Sequence, residues 1–221
     1  MASARLSRSL APAPSNAKLL DDNRFRALLS DGDWGRLPLA TWRRFSKRLA
    51  GGRTIVYVGE VEESSHNRVG WWLAQALRLI GGPLPTGTET QVPIIVSVTE
   101  DAASGSQIWT RICARSNGFP QVIHSAKRFA GPTGLEEYVG FGICMALLLS
   151  VEEGALKFCS AGYFLSLGGL RLPLPQWLAP GALTVGHFDL GTGTFRFTLE
   201  LVHPRWGALV RQSAVFREAA S

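Results

Sequence analysis

QVPIIVSVTEDAASGSQIWTRICARSNGFPQVIHSAKRF, residues 91–129, is the stretch whose reading decides the fold. Val92, Ile94, Val96 and Val98 alternate with Gln91, Pro93, Ile95, Ser97 and Thr99, the period-two pattern of a half-buried strand. Asp101 to Gly105 turns the chain into a second predicted strand over 107–115. Asn117-Gly118 then reads as a hairpin, because both residues accept the positive φ of a type I′ turn. A third strand is predicted over 119–129.

The same rhythm runs outward over residues 89–216, with turns at Gly131-Pro132-Thr133-Gly134, Glu153-Gly154 and Gly191-Thr192-Gly193. Residues 136–151 read as one strand. Val139, Phe141, Ile143, Met145, Leu147 and Leu149 form its bulky face, and Gly140, Gly142, Cys144 and Ala146 the small one. Strands follow over 155–165 and 183–190. Phe195, Phe197, Leu199 and Leu201 then alternate with Arg196, Thr198 and Glu200, and a last strand covers 208–217. Neighbouring antiparallel strands in such a succession curl and bury one face around a core, a pocket or a helix. The expected fold is α+β, mainly β: a curved antiparallel β-meander or partly open barrel of about eight or nine strands. Two or three helices precede or cover it.

Those helices are read from the first eighty residues. Asp21 and Asp22 are placed to cap a short helix carrying Phe25, Leu28 and Leu29, which Asp31-Gly32-Asp33 breaks. A second starts near Pro38 and turns Trp42, Phe45 and Leu49 inward. Residues 54–62 are a β-branched strand. Ser65 or Asn67 then caps the most regular helix, 67–80, striped by Val69, Trp72, Leu73, Ala76, Leu77 and Ile80 and stopped by Gly81-Gly82-Pro83. Residues 1–20 are expected to be a disordered basic tail, and 21–219 a single domain.

The net charge of +6 is unevenly placed: residues 1–54 hold eleven Lys and Arg against four Asp, and 55–221 hold twelve against thirteen acids. The excess points to an anionic surface or to a solvated basic segment; no motif supports nucleic acid. Cys113, Cys144 and Cys159 form no CxxC pair, which argues against a disulfide framework or a zinc site and suits a reducing compartment. The longest apolar stretch, 139–151, is too short to span a bilayer as a helix. The expected location is cytoplasmic, with a peripheral membrane association as the variant.

Residues that carry chemistry are sparse. No nucleophile elbow, dinucleotide loop or phosphate loop occurs, and His66, His124, His187 and His203 lack ligand spacing. No metal or cofactor is expected. On one predicted strand face Trp109 and Arg111 join Cys113, and Glu137 shares the bulky face of its own strand. An Arg and a Glu buried in a sheet have to pair, since an unpaired buried charge is costly. The 170–180 connection presents Leu170, Leu172, Leu174, Trp177 and Leu178 between stiffening prolines, as a lid, a docking element or a cap for the sheet.

Several of these residues carry a resemblance. Trp109-x-Arg111, Gly134-x-x-Glu137-x-x-Gly140, Gly154-x-Leu156 and Gly169-x-x-Leu172-Pro173-Leu174-Pro175-x-x-Leu178-Ala179-Pro180 are similar to a bacterial family known as domain of unknown function 4166. Phe25-Arg26-Ala27-Leu28-Leu29 and Trp34-x-x-Leu37-Pro38 resemble its start. The similarity implies association with nucleotide-sugar-epimerase-like or saccharopine-dehydrogenase-like reductase modules, or with small membrane modules. These residues contain no such module, so the resemblance brings no reductase activity with it.

The expected function is a non-catalytic accessory or binding domain, holding an apolar or amphipathic small molecule between the sheet and helix 67–80. Trp72, Trp109, Arg111, Glu137 and Trp177 are the candidate ligand contacts. Arg43, Arg44, Lys47, Arg48 and Leu174 are candidate surface or docking residues toward an anionic membrane or a reductase partner. The rivals are an enzyme using Arg111 and Glu137 as an acid–base and anion-binding pair, and a docking module that presents the proline-stiffened loop to a membrane protein or a reductase.

Overall fold

The structure is a computed structural model that describes residues 22–219; the expected basic tail lies outside the described residues. Eleven strands follow in chain order: β1 (Thr54–His66), β2 (Pro93–Glu100), β3 (Gln107–Cys113), β4 (Gln121–Arg128), β5 (Glu136–Gly140), β6 (Ile143–Glu152), β7 (Ala155–Leu167), β8 (Leu170–Pro173), β9 (Ala182–Gly191), β10 (Thr194–His203) and β11 (Gly207–Glu218). Every pairing is antiparallel. β1 to β7 lie side by side in chain order, as do β9 to β11, and β11 returns to β1. Strand β7 closes the ring: it pairs with β6 along its length, with β9 through Leu156–Cys159 and with β8 through Phe164–Leu167. The result is a closed ten-stranded up-and-down barrel with β8 appended, so the meander leaves no open edge in the ring.

Two expected strand boundaries are corrected. The single strand expected over 136–151 is a hairpin, because Phe141 and Gly142 both take positive φ (48° and 80°). A two-residue turn preserves the alternation on either side, which is why the pattern read as unbroken. Asn117-Gly118 makes no two-residue turn: β3 ends at Cys113, β4 starts at Gln121, and only Gly118 of the pair has positive φ. The longer connection is tied down instead by Gln121, whose Oε1 accepts from the Thr86 N–H (3.0 Å) and whose Nε2 donates to the Leu84 carbonyl (2.9 Å).

Helices close the two ends. Asp31-Gly32-Asp33, expected to break a helix, begins one: Ser30 Oγ accepts from the Asp33 N–H at 3.0 Å and caps α1 (Asp31–Gly35). The segment before it holds only a 3-10 turn, Arg26–Leu28, because Asp22 pairs with Arg24 (2.7 Å), which also reaches Glu100 of β2 (2.7 Å). With α2 (Leu39–Phe45), this segment plugs one end of the barrel. Phe25, Trp34, Leu37 and Phe45 pack there against Leu135, Leu147, Leu156 and Phe158. Trp42, expected inward, stays partly exposed.

At the other end lies α3 (Arg68–Leu77), capped by Asn67, whose Oδ1 accepts from the Gly70 N–H at 2.8 Å. Its buried face is turned by one position from the expected stripe. Gly70 and Ala74 face inward with Leu73 and Leu77 beside them, and Trp72 points out. The cause is backbone proximity: a Cβ on Gly70 would lie 1.9 Å from the Leu209 carbonyl oxygen of β11. Beyond a 3-10 turn (Arg78–Ile80), the Ile80 carbonyl oxygen lies 2.2 Å from where a Cβ on Gly140 of β5 would stand. Glycines at both anchor points let this segment seat against β11 at one end and β5 at the other, bridging the barrel mouth.

Candidate functional site

Between plug and bridge the barrel encloses a cavity of about 200 Å³. One water needs roughly 10–15 Å³ of such space, so the room is that of an organic molecule. Tyr57, Phe195 and Phe216 lie toward the α2 end. Leu73, Leu77 and Pro83 close the α3 end, and Leu174, Leu178 and Pro180 come from the β8–β9 connection. The rest of the wall is mostly Val, Leu, Ile and aromatic, with a small polar group set into it: Trp109, Arg111, Ser125, Lys127, Glu137, Tyr163 and His187.

Strand β3 places the first two by presenting its more polar face inward. Gln107, Trp109, Arg111 and Cys113 point into the barrel, while Ile108 and Ile112 are 38% and 37% exposed outside. Across the sheet, Lys127 stands directly opposite Glu137 in register, and its Nζ donates to Glu137 Oε2 at 3.2 Å. The same ammonium lies 5.0 Å from the centre of the Trp109 ring and 5.2 Å from that of Phe158. Burial pushes the Glu137 carboxyl up, yet Lys127, a hydrogen bond from Ser125 and the Arg111 charge outweigh it, so it stays below the usual carboxylate range.

Arg111 makes no direct ion pair with Glu137; its Nη2 donates to the Pro83 carbonyl (3.3 Å), and its Nη1 is enclosed without a partner. Its guanidinium carbon lies 5.6 Å from the centre of the Phe197 ring. Burial draws its pKa down from the ordinary value, against the opposing influence of Cys113 and Glu137. Tyr163 donates to the Gly181 carbonyl (2.8 Å), and burial lifts its hydroxyl to about 12.

His187 is surrounded by the rings of Phe45, Phe158, Phe195, Phe197 and Trp109, and its Nδ1 has no hydrogen-bond partner. Burial first, then the Arg44 and Lys127 charges, hold its pKa well below 6.5, so it is neutral in the folded protein. The unfolded chain therefore binds a proton that the native state refuses, and stability falls as pH drops below about 6.5. A slope of up to about 1.4 kcal/mol per pH unit is expected there, in urea titrations at stepped pH, and His187→Phe should remove it. An unchanged slope in that variant would assign the acid sensitivity elsewhere.

The remaining candidate residues are dispersed. Trp72 and Trp177 are 68% and 78% exposed, outside the cavity, whereas Leu174, expected as a docking residue, lines it. Arg44 turns inward, its guanidinium 3.5 Å above the Phe195 ring; burial lowers its pKa. Lys47 pairs with Glu218 (2.7 Å) and Arg48 with Glu100 (2.8 Å), leaving Arg43 as the exposed member of that cluster. Lys127, His187 and Tyr163 are the additions. Lys127 was traceable in principle, since it keeps the phase of Ile123 and Ser125 on β4.

Glu137 is engaged by Lys127 and Ser125, and His187 is enclosed by aromatic rings. Among the described residues no three or more His, Cys, Asp or Glu groups converge as metal ligands, and no helix is long and apolar enough to cross a membrane. A family model described as "Domain of unknown function (DUF4166)" matches residues 37–216, from just before α2 into β11, and takes in all the strands of the ring. No curated protein matches the chain.

Proposed function

We propose that this chain, which belongs to the DUF4166 family, is a binding barrel that holds one apolar or amphipathic small molecule in its interior. The observation that carries the reading is the cavity itself: about 200 Å³ of largely apolar space inside a closed barrel that is plugged at one end. Ten strands enclose more room than their inward side chains occupy, as larger up-and-down barrels do. The expected position between sheet and helix 67–80 becomes a position inside the barrel, under α3. The polar set fixes orientation, which a wholly greasy hole would not.

A ligand that binds only the folded state raises stability by RT ln(1 + [L]/Kd), about 2.7 kcal/mol at a hundredfold excess over Kd. Dodecanol or dodecanoate should therefore raise the melting temperature of the purified protein saturably, while a short polar alcohol should not. A melting temperature indifferent to chain length would remove the reading.

A further inference from the structure

We infer that the cavity ligand carries an anionic head, a carboxylate or a phosphate-type group, paired with Arg111. This deepens the binding reading above and rests on it. The cavity wall holds two cations, Arg111 and Lys127, against one anion, Glu137. Lys127 already satisfies Glu137 at 3.2 Å, and His187 is a neutral ring. Just under the floor Arg44 adds another buried cation with an unpartnered Nη1. The balance inside the barrel is therefore positive, in surroundings where an uncompensated charge is expensive.

Arg111 has only the Pro83 carbonyl as hydrogen-bond acceptor, and its neighbour on the same face, Trp109, has an enclosed Nε1 without one. Donors exceed acceptors on this side of the cavity. A ligand bringing a negatively charged acceptor corrects both imbalances, and its tail has the apolar wall of Leu73, Leu77, Val185 and Leu199 to cover. A fatty-acid-like carboxylate and a lipid phosphate share this chemistry.

The test uses competition against a neutral fluorescent probe, N-phenyl-1-naphthylamine, with dodecanoate, dodecyl phosphate and dodecanol as matched competitors. At least one of the two anions should bind tighter than the alcohol by about tenfold or more, equal to about 1.4 kcal/mol. Which one does separates carboxylate from phosphate. Arg111→Met should abolish the preference for the anion over the alcohol, and Arg111→Lys should retain part of it. Equal binding of anions and alcohol to the native protein overturns the inference without any variant, so a poorly folding Arg111→Met does not shield it. Probe binding with no displacement by any of the three would instead overturn the binding reading beneath it.

A separate observation points to the α3 end as a face that docks on an anionic bilayer. Antiparallel alternation puts α3 and the β3–β4, β5–β6, β8–β9 and β10–β11 connections at one end of the barrel. Trp72, Leu79, Phe119, Phe141, Trp177 and Trp206 are exposed on these segments. At the opposite end the β2–β3, β4–β5, β6–β7 and β9–β10 connections expose no large apolar residue, and the α2 plug exposes two, Leu39 and Trp42. The same α3-end segments carry Arg68, Arg78 and Arg205 with no ionic partner among the described residues. Arg115 lies near their one acid, Glu89. Aromatic side chains interspersed with arginines that have no ionic partner among the described residues match an anionic interface, and this end is also where the cavity is bridged rather than plugged.

Sedimentation with vesicles of phosphatidylcholine, with and without phosphatidylglycerol, tests it. Binding should require the anionic lipid, weaken with salt, and fall about tenfold or more in Trp72→Ala/Trp177→Ala at an unchanged melting temperature. Absence of binding, or equal binding by that variant, overturns the proposal. So does a concentration-dependent dimer that buries the same tryptophans, since the face would then belong to a second copy.

Discussion

Lys127→Met is expected to destabilise the barrel by about 3–5 kcal/mol, because it takes from the buried Glu137 its ion-pair partner and leaves only the Ser125 hydrogen bond and the Arg111 charge. The two side chains are only 7% and 13% exposed, so solvent cannot replace the lost partner. The ammonium also leaves its place over the Trp109 and Phe158 rings. The double variant Lys127→Met/Glu137→Leu should recover most of the loss, since replacing a buried pair by apolar groups is often neutral or better. Urea unfolding of the wild type, both singles and the double completes the cycle. A cost under about 1 kcal/mol for Lys127→Met would mean that water reaches the pair, as at a surface.

The second large effect falls outside the family match. Phe25 lies before residue 37, yet it is buried and packs edge-on against Phe45, Phe129 and Phe158 at 5.3, 5.0 and 6.0 Å. Phe25→Ala should cost about 3–5 kcal/mol, transfer and cavity costs together. For a domain of this size that is a fall of roughly 6–20 °C in melting temperature. A change of less than 2 °C, well below the roughly 6 °C minimum, would show that the N-terminal segment is an appendage and the barrel is closed without it.

The strands were legible where one face is apolar and the other polar. Phe195, Leu199 and Leu201 of β10 and Ile94, Val96 and Val98 of β2 point inward as their alternation requires. Closure was not legible, because it depends on β7 sharing its free edge between β8 and β9, and no local pattern encodes that pairing. The α3 rotation was hidden for a related reason. The expected stripe follows apolar side chains at helical spacing, but the close approach to Leu209 selects the smallest residues, Gly70 and Ala74, for the inner face. The site was half legible: Trp109, Arg111 and Glu137 were identifiable as polar groups on faces that might be inward. Lys127 shares the phase of Ile123 and Ser125, but a lysine in a strand reads as solvent-facing until its register opposite Glu137 is known. In the basic stretch 43–48, Arg48, Lys47 and Arg44 are engaged by Glu100, Glu218 and the Phe195 ring, contacts that no local pattern encodes, and Arg43 stays exposed.

The most direct measurement of the central claim is a titration of N-phenyl-1-naphthylamine into wild type and into Val185→Trp, a substitution that fills the cavity from β9. With both proteins folded by their melting curves, the wild type should saturate at one probe per chain and the filled variant should bind none. Saturable binding that survives the filling and disappears in Trp72→Ala/Trp177→Ala would place the ligand on the outer rim and contradict a barrel that binds in its interior.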